Sequence, residues 1–412
     1  MSSVYVVGVG MTALGRHLDK SVKSLAAWAI DEALRDAQCD KRIIEAAWFC
    51  NTRQGIFEGQ HNVRGQCALR AYGFEEIAIF NTDNACCSSS SGLALAASAV
   101  RAGDYGVALV VGAEKMNYPD KRNEMFAAFK GSWDRDLADV HMQNLIALGT
   151  GFDLPPEAEI PAADRSVFMD IYSAAALYHM KMFGTTQRQI AQVAAKNHSN
   201  SRFNPLAQYQ ESMSVEQVIS DKVISWPVTR SMCAPMSDGA GAIIVCNEEN
   251  LSRFDTSRAV RVLATVVGSG NNRRPDEFER QASKLAADKA YHRAGIGPSD
   301  ISVAELHDAS AFAEILQSEN MGFCPRGMGG PLVASGDTSL GGRLPINTSG
   351  GLLSKGHPIG ATGAIQIHEL TTQLRGEAGQ RQVSGARFGL AENGGGFYGL
   401  EEAAVAVTIL GK

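Results

Sequence analysis

Residues 84–92 read Asn-Ala-Cys-Cys-Ser-Ser-Ser-Ser-Gly, a polar turn between an extended segment at 76–82 and an alanine-rich stretch at 93–101. The alanine-rich stretch has the composition of a helix, and Gly103 follows it as a helix-ending residue. Residues 107–111 are then wholly apolar, which is the pattern of a strand buried on both faces. Strand, helix and strand follow one another, and this order predicts a mostly parallel sheet covered by helices.

The same alternation extends toward both ends of the chain. Further strands are predicted at 4–9, 46–50, 240–246, 260–267, 301–306, 386–390 and 403–409. Further helices are predicted at 21–37, 166–183, 188–198, 281–294, 311–321 and 364–375, with a short helix and strand over 215–224.

This pattern predicts an α/β protein built from two similar halves. Each half places a polar, glycine-rich turn directly before a helix that ends in glycine, at Gly103 and at Gly376. We expect a first half over residues 1–250 and a second half over 256–412, joined near 247–259.

An insertion interrupts the first half. Residues 117–163 are rich in Met, Asn, Asp and Pro, so they are interpreted as a loop region over the sheet. With the segment that follows, the inserted loop domain is expected to span about 117–215. Its charged residues are interpreted mainly as solvated, with shaping of an acyl pocket or docking of a partner as the alternative; they are Asp120, Lys121, Arg122, Lys130, Arg135 and His141.

The composition is that of a soluble globular protein. The 412 residues are 45% hydrophobic and 20% charged, which excludes a disordered chain, a collagen and a coiled coil. The formal net charge of −6 disfavours nucleic acid and anionic membranes as partners. No apolar run reaches the roughly 18 residues that a membrane-spanning helix needs. The start of the chain is interpreted as a buried strand rather than a signal peptide.

Cysteine usage indicates free thiols. Of the eight cysteines only Cys86 and Cys87 are close together, and no CxxC or Cys/His zinc spacing is present. We therefore predict a cytoplasmic protein without a disulfide framework and without a metal site.

Cys86 is the first candidate for chemistry, because it lies between a predicted strand and the start of a helix. Unpaired amides and the helix dipole favour an anion there, which is expected to lower the pKa of the thiol and create a thiolate nucleophile. The alternative is that Cys86 and Cys87 are small buried apolar residues.

Two histidines are further candidates. His357 lies between glycines in Gly356-His357-Pro358, a turn that allows close approach to a ligand and fixes the imidazole before a helix. It could act as a general base or as an oxyanion donor, or the turn could be structural. His307 and Asp308 follow a predicted strand, where α/β folds bind ligands, or they cap the next helix.

A further motif is weaker. Residues 8–13, Gly-Val-Gly-Met-Thr-Ala, fit the G-x-G-x-x-A dinucleotide pattern, but a polar stretch through Lys20 separates them from the next helix. Nicotinamide binding is therefore not expected.

Taken together, four blocks resemble the thiolase superfamily. In chain order they are Asn84-Ala85-Cys86, Met236-Ser237-Asp238-Gly239-Ala240, the run from Asn347 to Gly351, and Gly356-His357-Pro358. The resemblance covers almost the whole chain and is closest to the sterol-carrier-protein type, through His307-Asp308. It implies a duplicated α/β fold in five layers, α-β-α-β-α, with an inserted loop domain. Such proteins are homodimers or dimers of dimers that use acyl-CoA and coenzyme A, with no covalently bound cofactor.

The resemblance also implies roles for single residues. Cys86 would carry the acyl group, His357 would take the proton of its thiol, and His307 would hold a water against the thioester enolate. The amides of Cys86 and Gly394 would form an oxyanion hole. Coenzyme A would contact Ser237 and Gly350.

One departure from the family pattern affects the chemistry. Full thiolases carry a second Cys as acid and base at the α-carbon, and the two positions where it occurs hold Glu392 and Ala309 here. The replacements that the sequence leaves open are Glu392, Ser310, Asp308, Tyr398 and a water molecule.

Three functions are compatible with these residues. The first is a thiolase-type enzyme for a bulky or branched acyl-CoA. The second is an acyltransferase or aldol-cleaving subunit that works with a small partner containing an OB-fold and a zinc ribbon. Retention of Cys86 favours acyl transfer over aldol cleavage, since a retro-aldol step needs no acyl-enzyme. The third is a catalytically silent scaffold subunit, which an intact Cys86, His307 and His357 disfavour.

Overall fold

The structure is a computed structural model, and it describes residues 2–152, 154–156 and 166–412. The strands are β1 (Val4–Met11), β2 (Ala46–Cys50), β3 (Ala78–Thr82), β4 (Val107–Glu114), β5 (Val223–Ser225), β6 (Val228–Thr229), β7 (Gly239–Asn247), β8 (Val260–Ser269), β9 (Val303–Glu305), β10 (Phe388–Gly395) and β11 (Ala404–Gly411). The α-helices are α1 (Val22–Asp36), α2 (Gln54–Glu58), α3 (Arg64–Tyr72), α4 (Ser88–Ala102), α5 (Arg122–Phe129), α6 (Ala138–Leu148), α7 (Val167–Phe183), α8 (Gln187–Ser201), α9 (Val215–Ile219), α10 (Ala282–Ala294), α11 (Ala311–Asn320), α12 (Gly329–Ala334) and α13 (Thr362–Arg375).

The large sheet consists of two smaller sheets that meet at one edge. Its strand order is β3-β2-β4-β7-β1-β8-β11-β10-β9, and the β1–β8 ladder in the described chain is a short one around Tyr5 and Val6. Among the described strands of the first sheet only β7 runs against the others, and in the second only β11 does. The mostly parallel arrangement is thus confirmed within each sheet, although the reversed strand lies inside it.

Helices α4 and α13 fill the space between the two sheets. Leu93 on α4 and Leu370 on α13 belong to one buried cluster with side chains of both sheets. On the outer faces, α1 and α3 cover the first sheet and α10 covers the second. Both central helices end at a glycine in the left-handed region, Gly103 (φ 87°) and Gly376 (φ 77°), as predicted. These elements form the five layers that the resemblance implied.

The interpretation of 117–163 as a loop region is wrong for its described residues, because helices α5 and α6 form there. Helix α5 buries Met125 beside Phe57, and α6 buries Leu145 beside Trp133. The polar composition of the segment concealed these apolar contacts. Residues 153 and 157–165 and the side chain of Arg122 lie outside the described residues, and the parts of the prediction that concern them stay predictions.

No helix in the described ranges combines the length and the hydrophobicity needed to cross a membrane.

The N-terminal ends of α4 and α13 touch in the central layer. The Ala364 amide donates a hydrogen bond to Ser89 Oγ at 3.0 Å. A Cβ atom at Gly363 would collide with Ser90 Oγ and would lie 2.6 Å from Ser90 N. Glycine is therefore required at 363 for the helices to approach this closely, and the contact fixes the distance between the two turns that precede them.

Replacing Gly363 with Ala should force the two central helices apart. Overpacking of this kind typically costs about 1–3 kcal/mol, so we expect the free energy of unfolding of Gly363→Ala to fall by that amount in urea titrations. Gly131→Ala is the matched control, since a Cβ there meets no atom within 4 Å among the described residues. Equal stability of the two variants would contradict the packing described here.

Candidate active site

Cys86 lies in a tight turn between β3 and α4. Ala85 adopts a left-handed conformation (φ 50°), and the Cys87 amide donates to Asn84 O at 3.0 Å. Asn393 Nδ2 on β10 donates to the Cys86 carbonyl at 2.9 Å. The turn is therefore tied to a strand of the second sheet. Cys86 is partly exposed, whereas Cys87 is fully buried.

His357 is held by two hydroxyl groups. Its amide donates to Ser237 Oγ at 2.9 Å, and its Nδ1 lies 2.8 Å from Thr362 Oγ1. The Thr362 hydroxyl has its own acceptor in the Pro358 carbonyl at 3.4 Å, which favours the tautomer in which Nδ1 carries the proton and donates to Thr362. In this tautomer Nε2 is the nitrogen that can accept a proton.

His307 follows β9 and faces His357. The two ring centroids are 5.4 Å apart, and the His307 amide donates to Glu392 Oε2 at 3.1 Å. Neither ring nitrogen of His307 has a hydrogen-bond partner among the described residues. An imidazole left without a partner inside a protein is available to a ligand or to a water molecule.

The three residues converge. Cys86 Sγ and one ring nitrogen from each of His307 and His357 all lie within 4.8 Å of one another. A thiol beside two imidazoles is the arrangement that nucleophilic catalysis uses. Sulfur and imidazole nitrogen are also ligands that zinc accepts, so these atoms are the place where a soft metal ion would bind. The absence of a metal site stays a prediction.

A cavity of about 1120 Å³ surrounds this cluster. Its lining includes bulky side chains, namely Phe126, Phe129, Phe168, Met169 and Tyr172. It also includes exposed polar and charged residues, among them Arg16, Gln210, Glu211, Lys222 and Arg230. Because some of the lining residues are exposed, the cluster is reached from the surface.

The expected lowering of the Cys86 pKa is wrong. Burial raises the pKa of the Cys86 thiol to about 12, and the charge of Arg53 opposes this only in part. Helix α4 begins at Ser88, so Cys86 lies outside the helix, two residues before its first residue. Cys86 is consequently a neutral thiol at pH 7 and needs a base.

Both histidines are neutral at pH 7. Burial lowers the pKa of His307 to about 4. Burial, with smaller contributions from His307 and Arg53, holds the pKa of His357 well below its ordinary value. A neutral imidazole can accept a proton at Nε2, so His357 has the protonation state of a base.

Several predicted residues lie behind the cavity wall. Ser237 is fully buried and contacts the His357 amide and Gln208, and Gly350 packs against Ser201. Their assignment to coenzyme A binding stays a prediction. Gly395 and Gly396 line the cavity, while the predicted oxyanion residue Gly394 precedes them on β10.

Sequence reasoning missed several cavity residues that carry a functional group, among them Arg53, Tyr172 and Glu402. Arg53 follows the carboxyl end of the parallel strand β2, so the rule that selected His307 could also have selected it. Its guanidinium donates to the Ala128 carbonyl and to Ser132 Oγ. Tyr172 and Glu402 also line the cavity, and no motif in the sequence marks them.

Two family models match the chain. The thiolase N-terminal domain matches residues 4–225, and the thiolase C-terminal domain-like model matches residues 266–412. The chain therefore belongs to the thiolase superfamily, which confirms the resemblance drawn from the four sequence blocks. Acyl transfer is the class of reaction that this membership supports.

Individual proteins agree with this membership. The chain is 35% identical over 410 residues to sterol carrier protein 2 of Oryctolagus cuniculus, covering 95% of this chain and 69% of that protein. It is 34% identical over 399 residues to acetyl-CoA acetyltransferase of Methanothermobacter thermautotrophicus, covering 96% and 97%. A solved structure, the Ltp2-ChsH2(DUF35) aldolase, shares the fold with a TM-score of 0.78 and 21% identity, covering 99% and 97%.

The neutral state of Cys86 predicts a pH dependence. The thiolate fraction of a thiol far below its pKa grows about tenfold per pH unit, so alkylation of Cys86 by iodoacetamide should rise by about that factor per unit between pH 7 and 9. Peptide mass mapping would follow the modified Cys86. Cys87 should stay unmodified, because it is fully buried. A rate that has already levelled off at pH 7 would mean that the thiol is ionised.

Proposed function

We propose that this protein is a thiolase-type acyl-CoA C-acyltransferase. It forms an acyl-enzyme on Cys86 and cleaves or forms a carbon–carbon bond of a bulky or branched 3-oxoacyl-CoA. The observation that carries the proposal is the convergence of one thiol and two imidazoles within 4.8 Å inside a cavity of about 1120 Å³. The same convergence favours an enzyme over a silent scaffold, because a scaffold needs no such cluster.

The first step is proton transfer from Cys86 to His357. A neutral thiol is a weak nucleophile, and the Nε2 atom of the His357 tautomer held by Thr362 is the base that removes its proton. The thiolate then attacks the carbonyl carbon of the acyl-CoA. In this assignment the amides of Cys86 and Gly394 stabilise the tetrahedral oxyanion.

His307 stabilises the thioester enolate, which is the leaving group when the carbon–carbon bond is cleaved and the nucleophile when it is formed. Its ring nitrogens have no protein partner among the described residues, so one N–H is free to donate to the enolate oxygen, directly or through a water. A pKa of about 4, caused by burial, keeps the ring neutral, so it stabilises the enolate by hydrogen bonding.

The cavity supports a large acyl group. Small-molecule sites typically enclose roughly 300–1000 Å³, and this cavity exceeds that range. The acyl chain would lie against the apolar side chains of the lining, such as Phe129 and Phe168. The exposed cations of the lining, Lys222 and Arg230, would face the coenzyme A phosphates. A homodimeric state and a cytoplasmic location stay predictions.

Incubation with an acyl-CoA should add the mass of the acyl group to the peptide that contains Cys86. Cys86→Ala should abolish both the adduct and turnover, since no other thiol occupies the cluster in the described chain. Cys87→Ala is the matched control and should keep the adduct. An adduct on Cys87, or unchanged turnover in Cys86→Ala, would remove the acyl-enzyme proposal.

His357→Asn should slow acylation of Cys86. A positioned general base typically contributes about 10²–10⁴-fold, so we expect a decrease in that range when acylation is measured by rapid quench and mass spectrometry. The deficit should shrink as the pH rises, because hydroxide then removes the thiol proton. A pH-independent deficit would point to a structural effect of the substitution.

A second candidate function is an acyltransferase or aldol-cleaving subunit that works with a small OB-fold and zinc-ribbon partner. Two points support it: by the resemblance to thiolases, Ala309 and Glu392 stand where the second Cys is expected, and the fold is similar to the Ltp2-ChsH2(DUF35) aldolase. Thiolysis of acetoacetyl-CoA by the purified chain alone should then be weak. Rates typical of an ordinary thiolase on that substrate would rule against this candidate.

A further inference from the structure

The reaction proposed above needs a proton donor and acceptor at the substrate α-carbon, and the residues that the sequence suggested do not reach the cavity. Glu392 is fully buried, and its Oε2 accepts the His307 amide. Asp308 and Ser310 are fully buried as well, and Asp308 accepts the Leu352 amide. Tyr398 is exposed and packs against His141, away from the cavity lining.

Glu402, in contrast to these residues, reaches the cavity. It lines the same cavity as Cys86 and His307. A Cβ atom at Gly394 would lie 2.5 Å from Glu402 Cγ and 3.2 Å from Glu402 Oε1. The Glu402 side chain therefore covers Gly394. Gly394 lies two residues after Glu392, the β10 position where the resemblance places the family's second Cys.

The surroundings of Glu402 suit proton transfer. Gln317 Nε2 on α11 donates to Glu402 Oε1 at 3.0 Å, which fixes the carboxyl group. The neighbouring Glu401 forms an ion pair with the nearby cation Arg273, whose Nε lies 3.2 Å from Glu401 Oε2. Glu402 forms no ion pair in the described chain. Burial raises the pKa of Glu402 above its ordinary value, which brings the group closer to exchanging a proton at neutral pH.

We propose that Glu402 is the catalytic acid and base at the α-carbon, in place of the second cysteine. This assignment rests on the proposed function. In thiolysis the C2–C3 bond of the Cys86-bound tetrahedral adduct breaks, and its electron pair passes into the enolate of the leaving acyl-CoA. Protonated Glu402 donates its proton to C2. The carboxylate then accepts the thiol proton of the incoming coenzyme A, and the coenzyme A thiolate attacks the acyl-Cys86 thioester. The second acyl-CoA is released, and the Cys86 thiolate that leaves takes back the proton that His357 accepted in the first step.

Exchange of the α-protons of acetyl-CoA with solvent measures proton transfer at the α-carbon separately from acylation of Cys86. Acetyl-CoA in D₂O should gain deuterium at its methyl group with the wild-type protein, read by mass spectrometry. Glu402→Gln should slow the exchange by about 10²-fold or more, because the amide is isosteric but does not take up the proton. Acylation of Cys86 by acetyl-CoA should change by less than about threefold, and Glu402→Asp should recover part of the exchange. Glu75→Gln, at an exposed site, is the control and should behave as wild type.

The outcomes separate the two proposals. If Glu402→Gln exchanges deuterium at the wild-type rate, the proposed role of Glu402 is overturned. The role is also overturned if the wild-type protein acylates Cys86 but incorporates no deuterium. Loss of acylation together with exchange, in a variant with an unchanged circular dichroism spectrum, also overturns it, because Glu402 would then support the site's structure. Failure of the wild-type protein to acylate Cys86 removes the proposed function itself.

Discussion

Close backbone contact between the two halves is the constraint on which the rest of the structure depends. At Gly363 the start of α13 meets α4, and at Gly395 strand β10 meets the Cys86 turn, where a side chain would collide with Asn84 O and lie 2.7 Å from Cys87 N. Glycine permits an approach that no other residue allows. These contacts bring a thiol from the first half beside two imidazoles from the second.

Burial of this cluster sets its chemistry. A buried thiol and two buried imidazoles are most stable as neutral groups, because a low-polarity environment penalises each charged form. The resting site therefore holds no thiolate, and the charge develops only when His357 and the amides around the substrate can stabilise it. Arg53 is the cation whose field favours the Cys86 thiolate, and it also disfavours protonation of His357.

Much of the fold could be predicted from the sequence, because the buried strands are continuous apolar runs and the central helices end in glycine. Helices α5 and α6 could not be predicted, because the few apolar residues that make their buried contacts lie among many polar residues in the sequence. Cys86, His307 and His357 could be selected because each follows or precedes a recognisable turn. Glu402 and Tyr172 could not, because their approach to the cavity depends on how β11 and α7 pack, and no local pattern encodes that packing. The direction of the Cys86 pKa shift was predicted wrongly. The prediction used only the position of Cys86 near the start of a helix, which the local sequence shows, whereas the burial that raises the pKa depends on the whole fold.

The most direct test of the account is a crystal structure of the wild-type protein after exposure to an acyl-CoA with the released coenzyme A removed, so that no acceptor thiol resolves the acyl-enzyme. The account predicts electron density continuous with Cys86 Sγ and an acyl oxygen about 2.7–3.1 Å from the amide nitrogens of Cys86 and Gly394. The acyl chain should lie along Phe129 and Phe168. An acyl group bound elsewhere, or a carbonyl oxygen turned away from both amides, would contradict it.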